Sequence, residues 1–346
     1  MKTKLKALAQ KVKKSPKNEE SQLAKITNNT LENERKEILD NGQKFKYPVQ
    51  YSKHKLVINT IIIAVIFMVI GTIIVLFQLY SSQSSSDILY RITTVVPFPV
   101  ANVDGENVLY SDYLMRYRAD MVASEKKKNV METIEDDAQR SKVYKQKAME
   151  ESIRDAYVMK IAREKGISVS REEVNKLLED ARKVKNQEIS ETAFNKIVAD
   201  NFGLSMDEYR RIFIELPLLR QKVSVEVDTS AKKLKDEVYE LLKANNNDFA
   251  KVHEKYGEKV LIEAPGAVKH FNVDSGRTAA ALKLQPGEIS QPFASDNNGY
   301  YIVKLISKTD TEVTYESINI KFAEFDAKLK QLETDGKITK YIKLEE

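Results

Sequence analysis

From Leu56 to Leu79 the chain runs for 24 residues without one charged side chain. As a helix this segment is about 36 Å long, enough to cross a hydrocarbon core of about 30 Å with some tilt. A core helix of a soluble protein would carry a polar stripe, and none is present. A cleaved signal peptide has a shorter apolar stretch near the chain start and a small-x-small cleavage site. The stretch here is longer and begins at residue 56, so it reads as a membrane anchor that meets the lipid bilayer through residues 56–80. Lys53, His54 and Lys55 adjoin its N-terminal end, whereas Ser81–Asp87 follow it. The positive-inside rule then predicts a cytoplasmic N-terminus and an extracytoplasmic body over residues 81–346. Tyr80 is expected to anchor at the lipid interface.

Charge follows the same division. Residues 1–55 carry 14 Lys/Arg against 6 Asp/Glu, a balance of +8, which leaves −3 for the rest of a chain whose total is +5. A nucleic-acid-binding domain would concentrate positive charge on a folded face, so no nucleic-acid partner is expected. The basic tail is Lys-rich and short of aromatics, and disorder is its default. Within it, Met1–Lys14 would form a basic amphipathic helix with Leu5, Leu8 and Val12 on one side. The competing reading is a solvated, topology-setting tail. Runs such as Glu125–Lys128 read as solvated helix faces.

Ser81–Ser86 reads as a flexible linker. Pro97 and Pro99 favour extended chain, and Asp104-Gly105 marks a tight turn between short strands. Residues 112–222 read mostly as helix. Val143, Met149, Ile153, Ala156, Tyr157 and Ile161 approximate helical spacing before Gly166. Ser170–Glu173 and Ser205–Glu208 are capping boxes, in which each end satisfies a free backbone N–H of the other. Tyr209, Ile212, Phe213, Leu216 and Leu219 share an apolar face, with Pro217 as an expected kink. The order "PVANVDGENVLYSDYL", a long helix, "AREKGISVSREEV" and "NFGLSMDEYRRIFIELPLLRQKV" resembles the N-terminal chaperone region of SurA-, PrsA- and PpiD-type foldases.

Downstream, Lys222–Val227 alternates as a strand would, Thr229–Ala244 is helical, and Asp248 caps a short helix ending at Gly257. Pro286-Gly287 turns into a strand at Ile289–Ser295, and Asp296–Gly299 links it as a hairpin to Tyr300–Ile306. "NDFAKVHEKYG", "LKLQPGEISQPF" and "NGYYIVKL" resemble a parvulin-type (PpiC-type) peptidyl-prolyl isomerase domain. Beyond it, "VTYESINIKF" reads as a strand and "AEFDAKLKQLETDG" as a charged helix. The resembled foldases imply that this segment returns to complete the helical module.

The expected fold class is therefore α+β: one transmembrane helix, a mainly helical chaperone domain and a small parvulin-like α/β domain with an antiparallel sheet. The expected boundaries are 1–55 tail, 56–80 transmembrane helix, 81–97 linker, 98–222 helical region, 223–307 parvulin-like domain and 308–346 C-terminal strand and helix.

The parvulin resemblance implies two facing histidines, a third polar residue and an apolar proline pocket. The first histidine would lie near Ser224–Val227, where there is none, and Tyr301 stands at the second. Arg277 takes the place of a pocket phenylalanine, Leu282 that of another aromatic, and the Gly-Gly stretch is reduced to Pro265-Gly266. His270 lies near that stretch, and His54 and His253 complete the histidines. No catalytic residue is assigned. Phe271, Leu282, Phe293 and Tyr301 are the candidate substrate-binding residues. With no cysteine and no phosphate-loop or metal-ligand cluster, no cofactor or metal is expected. The resulting reading is a membrane-tethered extracytoplasmic foldase or chaperone for unfolded or exported polypeptides, its isomerase domain weak or inactive. An active peptidyl-prolyl cis-trans isomerase and an envelope adaptor protein are the alternatives.

Overall fold

The computed structural model describes residues 27–46, 48–127, 136–184, 187–295 and 299–344. Those residues fall into two units, one ending at Ile74 and one beginning at Val75. The expected helix over Met1–Lys14 lies outside the described residues, as do Lys128 and the hairpin positions 296–298.

The first unit holds α1 (Asn28–Lys46) and most of α2 (Pro48–Leu76). Disorder is the expectation for the whole tail, so α1 is a correction. The helix starts where Thr30 Oγ1 donates to Thr27 O at 2.7 Å. Glu32 precedes Lys36 by four residues, the favourable order for a helical ion pair. Proline opens α2, a position where its missing N–H costs nothing. The span His54–Ser81 is long and apolar enough to cross a membrane, and His54–Ile74 are all exposed.

In the second unit α2 runs on through a π-helical turn, Phe77–Ser81. Leu79 is fully buried there. The Tyr80 hydroxyl donates to Pro99 O, and that of Tyr110 donates to Leu79 O, both at 2.6 Å. Tyr80, expected as an interface anchor, instead lies edge-on to Tyr110 at 5.8 Å. The expected linker is a second correction. Ser84 N–H donates back to Gln78 O, and α3 (Asp87–Val95) buries Leu89, Tyr90 and Thr93. The serines set the composition of this segment, but the apolar residues after them decide its packing.

Strands β1 (Pro99–Val103) and β2 (Glu106–Leu109) form the Asp104-Gly105 hairpin. Both turn residues have positive φ, +49° and +88°, as a type I′ turn requires. The chain continues through α4 (Tyr110–Lys127), α5 (Asp137–Lys165), α6 (Arg171–Ala181), the minimal pair β3 (Lys183–Val184) and β4 (Gln187–Glu188), α7 (Glu191–Phe202) and α8 (Met206–Tyr209). Both expected capping boxes are formed, at Ser170 and Ser205. A π turn at Arg210–Glu215 leads into α9 (Leu216–Val227). Pro217 cannot donate to the carbonyl four residues back, and the helix widens just before it.

The strand expected at Lys222–Val227 is thus the end of α9. Val223, Val225 and Val227 alternate, but Val223 and Val227 also lie one helical turn apart. Those two pack in the helical core, while Val225 packs against the neighbouring sheet cluster. Helices α10 (Thr229–Ala244) and α11 (Phe249–Tyr256) follow, then β5 (Leu261–Lys269), α12 (Arg277–Ala281), β6 (Phe293–Ser295), β7 (Gly299–Lys308) and β8 (Glu312–Ile320). The four strands form an antiparallel sheet in the order β5-β8-β7-β6. Its residues Tyr300, Ile302, Ile318 and Ile320 pack with Val238, Leu242, Phe249 and Val252 of α10 and α11. Val303, Leu305, Val313 and Tyr315 share the opposite face with Ala281 of α12.

Finally α13 (Glu324–Thr334) and β9 (Ile338–Lys340) return to the helical body. β9 pairs with β1, and Phe325, Leu332 and Ile342 join its core. Asp228, 1 % exposed, fastens this return. Its Oδ1 caps α10 at Ala231 N, and its Oδ2 accepts from Ala323 N and Glu324 N. Glu324 Oε1 in turn accepts from Ser230 N.

Candidate functional site

The α12 face of the sheet carries the candidate site. Directly opposed residues of an antiparallel pair point the same way. The register therefore sets Phe293, Tyr301, Asn319 and Leu261 in one row across β6, β7, β8 and β5. The next row holds Val303, Ser317 and Glu263. Phe293 and Tyr301 rings are 6.0 Å apart, and Leu282 and Phe293 pack on the cluster beneath α12. Three of the four candidate substrate-binding residues are thus brought together. The fourth, Phe271, is half exposed beyond the end of β5 and outside that cluster.

Polar groups close this face. Arg277 opens α12 and pairs with Glu263 of β5. Its guanidinium carbon lies 5.2 Å from the Tyr301 ring centroid. Tyr301 is 6 % and Asn319 3 % exposed. Burial pushes the Tyr301 phenol up, against the opposing pull of Arg277, so it stays neutral and able to donate at ordinary pH. Asp274 sits at the start of α12, where its Oδ1 accepts from Thr278 N at 2.9 Å and its Oδ2 from Thr278 Oγ1 at 2.6 Å. Tyr315 hydroxyl also donates to it. Burial disfavours the Asp274 charge, but these donors and Arg277 outweigh it and hold the carboxyl below its usual range. Burial and the bond to Asp274 push Tyr315 up to about 12. Ser317 Oγ is buried without a partner among the described residues.

No histidine joins the Tyr301 row. His253 is exposed on α11, and His270 directly follows β5 with its main-chain N–H donating to Thr311 O. Asn319, opposite Tyr301, lies about ninety residues downstream of Ser224–Val227, where the facing residue is expected. Sequence reasoning missed Asn319, Ser317, Glu263 and Asp274. Asn319, Ser317 and Glu263 lie on strands whose neighbours only the tertiary fold decides, and Asp274 lies in the loop between β5 and α12. Among the described residues no His, Cys, Asp or Glu group is arranged to hold a metal.

The helical body carries a second surface. The Phe202, Tyr209 and Phe213 rings stack at 5.0–6.0 Å, with Phe194 edge-on to Tyr209. At the open side of this cluster Phe213 is 40 % exposed, as Ile197 of α7 is 42 %.

A family model described as a SurA-like N-terminal domain matches residues 50–223, half of the 346-residue chain. The chain belongs to this family. A second model, the PPIC-type PPIASE domain, matches residues 219–319, ending on Asn319 of β8. Together they give the architecture of a SurA/PrsA-type foldase. Comparison with curated proteins and with solved structures gives no match. The SurA-like region covers the helical body from α3 to α9, and the isomerase-type match covers the four-stranded sheet with α10 to α12.

Proposed function

We propose that this chain is a membrane-tethered chaperone of the foldase class, in which the isomerase-type sheet is kept as a scaffold and has lost most catalysis. On this reading residues 56–80 anchor the chain, the N-terminus is cytoplasmic, and the body binds unfolded or exported polypeptides outside. Residues 98–222 form the client-binding region and 223–307 the parvulin-like domain, whose sheet is completed by β8 of the 308–346 segment before α13 and β9 return to the helical body. The exposed aromatic edge at Phe213 supplies adaptable apolar contact, and tethering raises its effective concentration beside emerging chains.

The observation that carries the loss of catalysis is the Tyr301–Asn319 row beneath the Arg277–Glu263 pair. Amide resonance sets a rotation barrier of about 18–20 kcal/mol. Lowering it needs a pocket that favours the twisted amide over both planar states. Here the face that would hold the proline is filled by the chain's own side chains. Leu282, Phe293 and Tyr301 remain as an apolar floor, with Phe271 as a contact at its margin.

The PPIC-type match favours a second reading, an active peptidyl-prolyl cis-trans isomerase in which Tyr301 donates to the substrate carbonyl. One sample of the full chain in detergent decides between them. It is assayed for suppression of aggregation of an unfolded client and for isomerisation of a proline peptide. Aggregation suppression with a background isomerisation rate supports the chaperone. A rate above background that falls in Tyr301→Phe and changes in Arg277→Ala would overturn it.

A further inference from the structure

We infer that the α12 face of the sheet binds the side-chain carboxylate of an acidic residue in an extended client segment, through Arg277, and that Glu263 holds that place in the free chain. The inference rests on the client-binding reading and names a chemical preference within it.

Glu263 shows the chemistry that this position accepts. It lies on the edge strand β5, and its Oε2 accepts from Arg277 Nη1. The pairing is incomplete. Arg277 Nε donates to Asp274 O at 3.0 Å, while Nη2 has no acceptor among the described residues. A guanidinium offers five N–H groups in a planar fork that matches both oxygens of a carboxylate, and Glu263 engages one nitrogen of it. The Glu263 side chain is 38 % exposed and that of Arg277 18 %. Glu263 can therefore turn out to solvent and leave its partner on the protein. An ion pair this open to water contributes little, so exchanging it for a second carboxylate costs little.

The surroundings are rich in donors and short of acceptors. The Tyr301 hydroxyl makes no hydrogen bond among the described residues, and its ring lies 5.2 Å from the Arg277 guanidinium carbon. Ser317, directly opposite Glu263 in the register, is fully buried with no partner for its Oγ. The charged groups that bear on the Tyr301 phenol are Arg277, Glu263 and Asp274. The Asp274 carboxylate is already engaged, by Thr278 N, Thr278 Oγ1, Tyr315 hydroxyl and Asn272 Nδ2. Glu263 is thus the carboxylate on this face that an incoming one would replace. Apolar contact adjoins it, since Phe293 packs on Tyr301 and its ring carbon lies 3.6 Å from where a Cβ on Gly276, next to Arg277, would stand. Glu263 reaches Arg277 from an extended strand that continues in both directions. That geometry favours an internal side chain over a chain terminus as the source of the carboxylate.

The test measures binding of dye-labelled peptides to the full chain in detergent by fluorescence anisotropy. One short apolar peptide is made in three forms: with an internal glutamate and an amidated end, with glutamine in its place, and with glutamine and a free C-terminal carboxylate. Suppression of client aggregation is read first on the same sample, since its absence would sink the client-binding reading and this site with it. The glutamate peptide should bind about tenfold tighter than the amidated glutamine peptide, the scale of a charge-assisted hydrogen bond. Arg277→Gln should remove that ratio, and Arg277→Lys, which keeps the charge without the fork, should retain part of it. Glu263→Gln frees Arg277 and should raise affinity for the glutamate peptide by about threefold. Wild type and Glu263→Gln carry the decision should Arg277→Gln melt early. Equal binding of the glutamate and glutamine peptides, with aggregation still suppressed, overturns the site and leaves the chaperone reading intact. Weaker glutamate binding by a folded Glu263→Gln would make the pair with Arg277 structural and overturn it as well. Tighter binding of the free-terminus peptide alone overturns the side-chain assignment.

Discussion

Replacing Phe325 by alanine tests whether the C-terminal return completes the helical body. Phe325 lies on α13 and is 4 % exposed. Its ring sits 5.4 Å from that of Tyr157 on α5, with the Arg154 guanidinium 6.0 Å from the ring centre. Arg154 also pairs with Asp326 beside it. Removing a buried phenylalanine ring costs about 3–5 kcal/mol, the upper part where the cavity cannot collapse. Collapse is restricted here, because α13 is pinned at both ends. Asp228 holds its start, while Asp104 N–H donates to Lys337 O and Tyr341 N–H to Val100 O beyond its end. At about 2 °C per kcal/mol for a body of this size, the midpoint should fall by roughly 6–10 °C. The chain has 16 tyrosines and no tryptophan, so tyrosine fluorescence of the full chain in detergent reports the transition. Hydrogen exchange should rise first in β1 and β9, which share a sheet. Phe325→Leu keeps most of the apolar contact and should cost about 1 kcal/mol. An alanine variant that melts within about 2 °C of wild type, with unchanged exchange in β1, would refute the claim that this segment stabilises the helical core.

Two further outcomes follow from the geometry. Gly299→Ala should unfold the four-stranded sheet selectively, because φ is +113° and a Cβ would stand 2.0 Å from Ile320 O. A cost above about 4 kcal/mol is expected, whereas Gly105→Ala, with φ +88° and open space around it, should cost only about 1–2 kcal/mol; thermal melts compare the two. On acidification, Asp274, Glu208 and Glu151 act together. Burial opposes ionisation of each, but hydrogen bonds and nearby arginines hold all three below their usual range. Carboxyls depressed in the folded state contribute fully above about pH 4.5 and lose that contribution as pH falls through their folded values. The melting midpoint should therefore stay level from pH 7 to about 5 and drop below, with a shallower acid limb in Asp274→Asn.

What the sequence disclosed depended on the range of the interaction. Both capping boxes and the Asp104-Gly105 turn are contacts within four residues, and each forms as its local pattern predicts. The uncharged run at residues 56–79 needs no partner to be recognised. Misreadings came where the outcome turned on distant packing. Val223, Val225 and Val227 satisfy a period of two and, at their ends, a helical turn. The buried pair of Arg220 with Asp155 of α5 belongs to the helical solution and is invisible locally. Ser81–Ser86 has the composition of a linker, yet Leu79 and Leu89 on either side are buried and hold it down.

The site shows the same limit more sharply. Tyr301 is legible because it stands inside a local pattern, "NGYYIVKL", whose family counterpart carries histidine. The resemblance places its facing residue upstream, on a strand before α10. That stretch is helical, and the position opposite Tyr301 is filled by Asn319 on β8, a strand that follows β7 in the chain. A strand added after its neighbour pairs through a short connection, Thr309–Thr311, and needs no long crossover. The consequence is testable through the chain's order. With β8 leading directly into Ala323 and Glu324, the sheet and the helical body share the Asp228 clasp. Strain at Asn319 should then be felt at α13. If Asp228→Ala loosens exchange in both β8 and α13 while leaving β6 unchanged, the candidate site and the helical body are mechanically joined. Loosening confined to α10, the helix Asp228 caps, would mean that the two halves stand independently.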